Sequence, residues 1–288
     1  MRALWLEQAE RGNIYAMRAI IYIARKLGRR VSRFFLYPIC LYFLIFSFKA
    51  RRASRQYLEK TLTRPVRISD IFRHYFYFAS SILDRIFWLS GNYAAFDFKL
   101  KVEPEAEQTL LKGGCLLLGS HLGSFELMRI LGEQHRGLLI NILMFRENAA
   151  MINEVMRKVN PELFPKIIDM DEPLALLRVK ECLEHGEIVG MLGDRILPRD
   201  KITSCDFLGA PAYFPTGAFQ LAASLDVPIV LGFGLYEGGN TYTIHLEVFP
   251  RAGDSAAQTC YYVQRLAHHC LHSPYNWFNF YDIWHAET

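Results

Sequence analysis

"CLLLGSHLGSFELMR" (residues 115–129) decides how this chain is organised. An apolar run stops at His121, and Glu126 follows five positions later. The stretch "GCLLLGS" (114–120), bounded by glycine on both sides, reads as a buried strand. Gly123 or Ser124 caps a helix predicted over about 124–135, which puts Glu126 in its first turn. On one continuous helix, five residues at about 100° each would leave the two side chains about 140° apart, out of reach. At a strand–helix junction the chain doubles back, and the carboxylate can meet the imidazole. His121 is therefore expected just past the carboxyl end of a sheet strand, where open α/β sheets gather their ligands. A carboxylate holding one ring N–H leaves the other nitrogen free as a base. The sequence has no G-x-S-x-G elbow, so the substrate's own hydroxyl is the expected nucleophile. The bland alternative is equally simple. Glutamate suits the first turn of any helix, and a single histidine at a strand end is usually a packing residue.

Outward from this junction, strands and helices alternate. Upstream, 67–90 and 103–112 read as helices. Downstream come a strand at 138–145, helices at about 148–158 and 172–185, and a strand at 187–192. A helix at about 216–225 leads to strands at 227–235 and 242–249, and a helix over 255–271 closes the pattern. Such alternation predicts an α/β fold, with helices packed around a mostly parallel central sheet. No internal repeat, low-complexity segment or long linker interrupts it. The six cysteines (40, 115, 182, 205, 260, 270) are scattered without a C-x-x-C pair, so free thiols are expected and neither a zinc site nor a disulfide framework is.

The N-terminus has a different character. Net charge is only +4, yet Arg25, Lys26, Arg29, Arg30, Arg33, Lys49, Arg51, Arg52 and Arg55 crowd together. They bracket "FFLYPICLYFLIFSF" (34–48), fifteen residues without a charge. A straight membrane span needs roughly 20 residues, and Pro38 interrupts this run. The reading is a monotopic or partly inserted anchor, with an amphipathic interfacial helix over 14–27. Basic flanks suit anionic lipid. Nucleic acid is not expected, because no binding motif accompanies the charges. Residues 1–60 are expected to form membrane-anchoring helices and 61–288 a catalytic domain.

The H-x4-E pair after "LLLGS" resembles the H-x4-D/E centre of glycerolipid acyltransferases, and more closely that of bacterial lysophospholipid and lipid A late acyltransferases. "FRENAAMIN" (145–153), "GDRILPRD" (193–200) and "DFLGAPAYFPTGAFQLAASLDVPIV" (206–230) resemble further blocks of that family, in the same order. The resemblance implies transfer of a fatty acyl chain from an acyl carrier protein or coenzyme A thioester to a hydroxyl of a lipid acceptor. It implies His121 as general base and Glu126 as its orienting group. Arg146, Asn148, Asp194, Arg195, Thr216 and Gly217 become substrate-binding candidates; for Thr216 and Gly217 a simple helix cap is the alternative. No metal and no cofactor beyond the acyl donor are expected. The implied location is the bacterial inner membrane, with the catalytic domain facing the cytoplasm. One departure stands out. "SPYNWFNFYDIW" (273–284) lacks the basic residues that lipid A enzymes carry near their end, and it looks similar to acyltransferases of aryl-polyene lipid pathways. Lysophospholipid acylation, thioester or lipid hydrolysis by the same His–Glu pair, and a non-catalytic membrane scaffold are the rival readings.

Overall fold

The structure is a computed structural model that describes residues 14–145, 160, 161, 163, 165–197 and 200–284. Three helices come first: α1 (Ile14–Phe46), α2 (Phe48–Thr61) and α3 (Ile68–Leu89). Then β1 (Asp97–Val102), α4 (Pro104–Lys112), β2 (Leu116–Gly119), α5 (Phe125–Arg136), β3 (Ile140–Met144) and β4 (Lys166–Asp169) follow. The chain continues through α6 (Ala175–Glu184), β5 (Ile188–Leu192), β6 (Ile202–Phe207), β7 (Ala210–Pro215) and α7 (Gly217–Leu225). It ends in β8 (Ile229–Gly238), β9 (Thr241–Val248) and α8 (Ser255–His272).

Seven strands make one sheet in the order β1-β9-β8-β2-β5-β3-β4. Every neighbouring pair is parallel except β8–β9, which are antiparallel across a tight turn. The α/β expectation therefore holds. β2 sits near the middle, and all four of its residues are buried. A strand covered by helices on both faces has no polar side to display, which is why it reads as an unbroken apolar run. The helix expected at about 148–158 lies outside the described residues.

Three features were not anticipated. β1 and β4 are short and polar-rich, and they gain their identity only by pairing with β9 and β3. The hairpin β6–β7 turns at Leu208 and Gly209, both at positive φ (55° and 77°). Two-residue hairpins of this kind normally announce themselves with Asn-Gly or Asp-Gly, and leucine hides the signal. The third concerns the cysteines: Cys205 of β6 and Cys260 of α8 form a disulfide, while Cys40, Cys115, Cys182 and Cys270 are free thiols. The expectation of free thiols throughout is corrected for that pair. It lies 55 positions apart and meets only because α8 packs on the hairpin.

The N-terminal element is built onto the sheet domain. Gly28 (φ 77°, ψ 177°) breaks α1, and the segment beyond it packs along α3. Arg29 grips the buried Asp84 of α3 with both arms of its guanidinium, Nε to Oδ1 and Nη2 to Oδ2, each at 2.7 Å. Tyr242 of β9 donates to the same carboxylate at 2.8 Å. Arg33 donates to the Tyr236 hydroxyl at 2.6 Å and to the Gly239 carbonyl at 3.0 Å. Opposite these contacts, α1 turns Phe34, Tyr37, Leu41, Tyr42, Ile45 and Phe46 to the outside. Among the described residues no single helix is long and apolar enough to cross a membrane; α1 and α2 together pass on length and composition, bent by 96°.

Removing one partner from a buried ion pair leaves an uncompensated charge. Asp84→Ala should therefore lower folding stability by about 3–5 kcal/mol, read as a shift in the denaturation midpoint in mild detergent. Replacing the exposed Asp226, whose partner Arg251 is also exposed, should change it by less than about 1 kcal/mol.

Candidate active site

His121 leaves the end of β2, and Asp194 leaves the end of β5. The two strands are parallel neighbours, with Gly119 opposite Leu192. Each functional residue stands two positions past that last pair, so the sheet itself delivers imidazole and carboxylate to one spot. The turn carrying His121 needs glycine. At Gly123 (φ 72°) a Cβ would come within 2.0 Å of the Gly234 carbonyl oxygen. Ser124 then caps α5, its Oγ accepting from the Leu127 N–H at 3.3 Å.

Asp194 is fully buried, and both its oxygens are used. Oδ1 accepts from Nδ1 of His121 at 2.7 Å. Oδ2 accepts from the His121 backbone N–H (3.0 Å), the Trp277 indole (3.0 Å) and the Asn279 amide (2.8 Å). Burial alone would raise the Asp194 pKa. The His121 ring and backbone, helped by Arg195, outweigh it and hold the carboxyl below its usual range. An ionised carboxylate only accepts, so Nδ1 of His121 carries the proton. Nε2 makes no hydrogen bond to any described residue, and a quarter of the side chain is exposed. Burial, reinforced by the Arg195 and Arg85 guanidiniums, pulls the imidazole pKa below 6.5 against the pull of Asp194. At neutral pH the ring is therefore uncharged, with one nitrogen locked and the other open.

The expected partner of His121 is thereby corrected. Among the described residues no hydrogen bond joins His121 to Glu126. Glu126 does lie in the first turn of α5, but Arg129, one turn on and 1% exposed, takes its carboxylate with Nη2 at 2.6 Å and Nε at 3.3 Å. Arg129 also binds Glu133 and the Leu163 carbonyl. A buried guanidinium demands carboxylates, and those at i−3 and i+4 on its own helix face are the nearest.

The other candidates divide. Arg195 sits beside the pair, donating from Nε to Asn279 Oδ1 at 2.8 Å. Thr216 is buried at the start of α7, where its hydroxyl donates to the Lys201 carbonyl (3.1 Å) and accepts from Gln220 (2.9 Å). Gly217 follows it as the first residue of that helix. Neither bonds to the His121 cluster. Arg146 and Asn148 lie outside the described residues.

Two contributors escaped the sequence reading. The C-terminal stretch wraps under the site: Phe278 donates its N–H to the His121 carbonyl at 2.7 Å, Asn276 accepts from the Gly123 N–H through its carbonyl, and Trp277 and Asn279 hold Asp194. Its signal was present, since two asparagines in an aromatic run must find partners once buried. The second is Arg85 of α3, a cation on an apolar helix. Its Nε is buried without a hydrogen bond, and its charge acts on both Glu126 and His121.

The family profile described as bacterial lipid A biosynthesis acyltransferase matches residues 103–285, which includes His121, Glu126, Asp194 and the C-terminal wrap. The chain belongs to that family. A search of curated proteins found no significant match. Membership places the His121–Asp194 pair inside an acyltransferase scaffold.

Diethylpyrocarbonate acylates neutral imidazole. Its reaction at His121, followed by peptide mass spectrometry, should titrate with a midpoint below 6.5. Asp194→Asn should move that midpoint lower still, because Asp194 is the group that raises it.

Proposed function

We propose that the protein is a membrane-associated O-acyltransferase. It moves a fatty acyl chain from an acyl thioester, carried by acyl carrier protein or coenzyme A, to a hydroxyl of a lipid or glycolipid acceptor. The observation that carries this reading is the uncharged His121 with a free Nε2, its other nitrogen tied to a buried carboxylate.

The acceptor hydroxyl gives its proton to Nε2 while its oxygen attacks the thioester carbonyl. Asp194 keeps the proton on Nδ1 and stabilises the imidazolium that forms. The tetrahedral oxyanion needs donors; the first-turn N–H groups of α5 and the Arg85 guanidinium, whose charge reaches His121, are candidates. Collapse breaks the carbon–sulfur bond, and the leaving thiolate takes the proton back from Nε2. No metal is required, because a thioester is already activated. Glu126 acts one step away. Through Arg129, and through its field at Arg85, it fixes the first turn of α5 instead of touching the base.

Both substrates are amphiphiles, which gives the N-terminal element a purpose. The outward aromatic and aliphatic face of α1 would lie in the headgroup region of the bacterial inner membrane, on its cytoplasmic side. Exposed Arg25, Lys26, Arg30, Lys49, Arg52 and Arg55 would meet anionic lipid there. A basic surface also favours docking of an acidic carrier protein. The absence of basic residues from 273–284 favours an acceptor other than a multiply phosphorylated sugar.

Purified protein should acylate lipid acceptors from labelled acyl carrier protein or acyl coenzyme A. Mass spectrometry of lipid extracts from cells with and without it should reveal the missing acylated species. His121→Ala should abolish transfer, and Asp194→Asn should cut kcat by roughly 10³–10⁴-fold. Glu126→Gln should cost less than either. The acid limb of kcat/KM should fall below pH 6.5, since the base works only when unprotonated and its pKa is depressed. Undiminished fatty acid release without any acceptor would make the protein a thioesterase and overturn the reading.

A further inference from the structure

β9 carries His245 and Glu247 two residues apart, so both point to the same face of the sheet. α8 brings His269 down onto that face. The donor atoms of the three residues all lie within 4.8 Å of one another. His269 Nε2 is 2.7 Å from Glu247 Oε1, and the His245 and His269 rings lie 4.6 Å apart in an edge contact. His245 is only partly exposed, yet no hydrogen bond to a described residue reaches either of its ring nitrogens. Nothing in the acyl-transfer chemistry uses this cluster.

We propose that His245, Glu247 and His269 form a binding site for one divalent transition cation, Zn²⁺ being the best match. Two imidazoles and a carboxylate are a standard zinc donor set. Around a tetrahedral ion with bonds of about 2.0–2.2 Å, ligand atoms stand about 3.3 Å apart, so the site closes by small side-chain movements. The ion takes the place of the hydrogen bond between His269 Nε2 and Glu247 Oε1 and binds a ring nitrogen of His245 that no described residue contacts by hydrogen bond.

The surroundings set the selectivity. Arg265 holds Glu247 from its outer side, Nε to Oε2 at 2.7 Å and Nη2 to Oε1 at 2.9 Å. Keeping the Oε2 contact would orient the carboxylate as supporting donors do in metal sites. Lys101 is the cross-strand neighbour of His245 on β1. These two positive charges disfavour ions held by electrostatics alone, such as Mg²⁺ and Ca²⁺. Imidazole donation favours zinc and its neighbours in the transition series. No local motif marks this site, because its donors come from a strand and a helix, with Glu247 and His269 22 residues apart. The consequence is structural: the ion ties α8 to β9, just upstream of the segment that holds Asp194.

The surface pair His268 and His272, one turn apart on α8 with rings 4.2 Å from each other, is the natural competitor. The test uses full-length, tag-free protein in detergent, stripped with chelator and titrated with Co²⁺. Wild type should take up a single equivalent, with the visible absorption of a four-coordinate ion, displaced by Zn²⁺ and untouched by excess Mg²⁺. His245→Gln and Glu247→Gln should each lose that absorption, and His272→Ala should keep it. Because no described residue hydrogen-bonds His245, His245→Gln should melt like the metal-free wild type, and Zn²⁺ should raise the melting point of wild type alone. No Co²⁺ band in wild type, a band that survives His245→Gln, or one that vanishes in His272→Ala would each overturn the proposal.

Discussion

A charge taken out of water must be matched by partners, and Asp194 is where this protein meets that constraint most sharply. The carboxylate is fully buried and ionised, and it is held by four hydrogen bonds from two other parts of the chain. The end of β2 supplies the imidazole and one backbone N–H. The C-terminal wrap supplies an indole and an amide. The end of β5 supplies the carboxylate itself. Take away any of these and a buried anion is left short of a donor, at a cost of one to several kcal/mol. The same bonds that stabilise the anion select the tautomer of His121, so the fold and the chemistry share one set of contacts.

The base is tuned by opposing forces. Burial and two guanidiniums keep the imidazole neutral; Asp194 pulls the other way and also fixes its orientation. A base that is uncharged at neutral pH but supported once protonated suits abstraction of a proton from an alcohol. Glu126 belongs to a different unit. With Arg129 and Glu133 it braces the start of α5, the helix whose first turn faces the histidine. A residue can thus matter to the site without touching the reacting atoms.

At the other end of the chain, α1 shows how polar contacts can leave an apolar face free. Gly28 bends the helix, and Arg29 and Arg33 pin the following segment to α3 and to the β8–β9 turn. With Arg29 and Arg33 turned inward, the outer side of the helix after residue 33 is left to aromatic and aliphatic residues. The segment of α1 beyond Gly28 is braced against the sheet domain instead of tethered by a linker.

The residue pattern was enough to place five of the sheet's seven strands, β2, β3, β5, β8 and β9, because their apolar runs stand out between helices; β1 and β4, short and polar-rich, were not legible. It also located His121 at a strand end, since glycine on either side leaves no other place for the turn. It missed the hairpin with leucine at a left-handed position, the disulfide, and the amides beneath the site. Those depend on partners far away in the chain. The same reason explains the imidazole's partner. Local spacing offered Glu126, five residues on, but Asp194, 73 residues on, won because parallel pairing of β2 with β5 puts the ends of both strands side by side. Sequence determined which segments could be strands and where a base could stand. Tertiary structure decided which acid stands beside it, because strand order is set by the packing of the whole sheet and not by any neighbour along the chain.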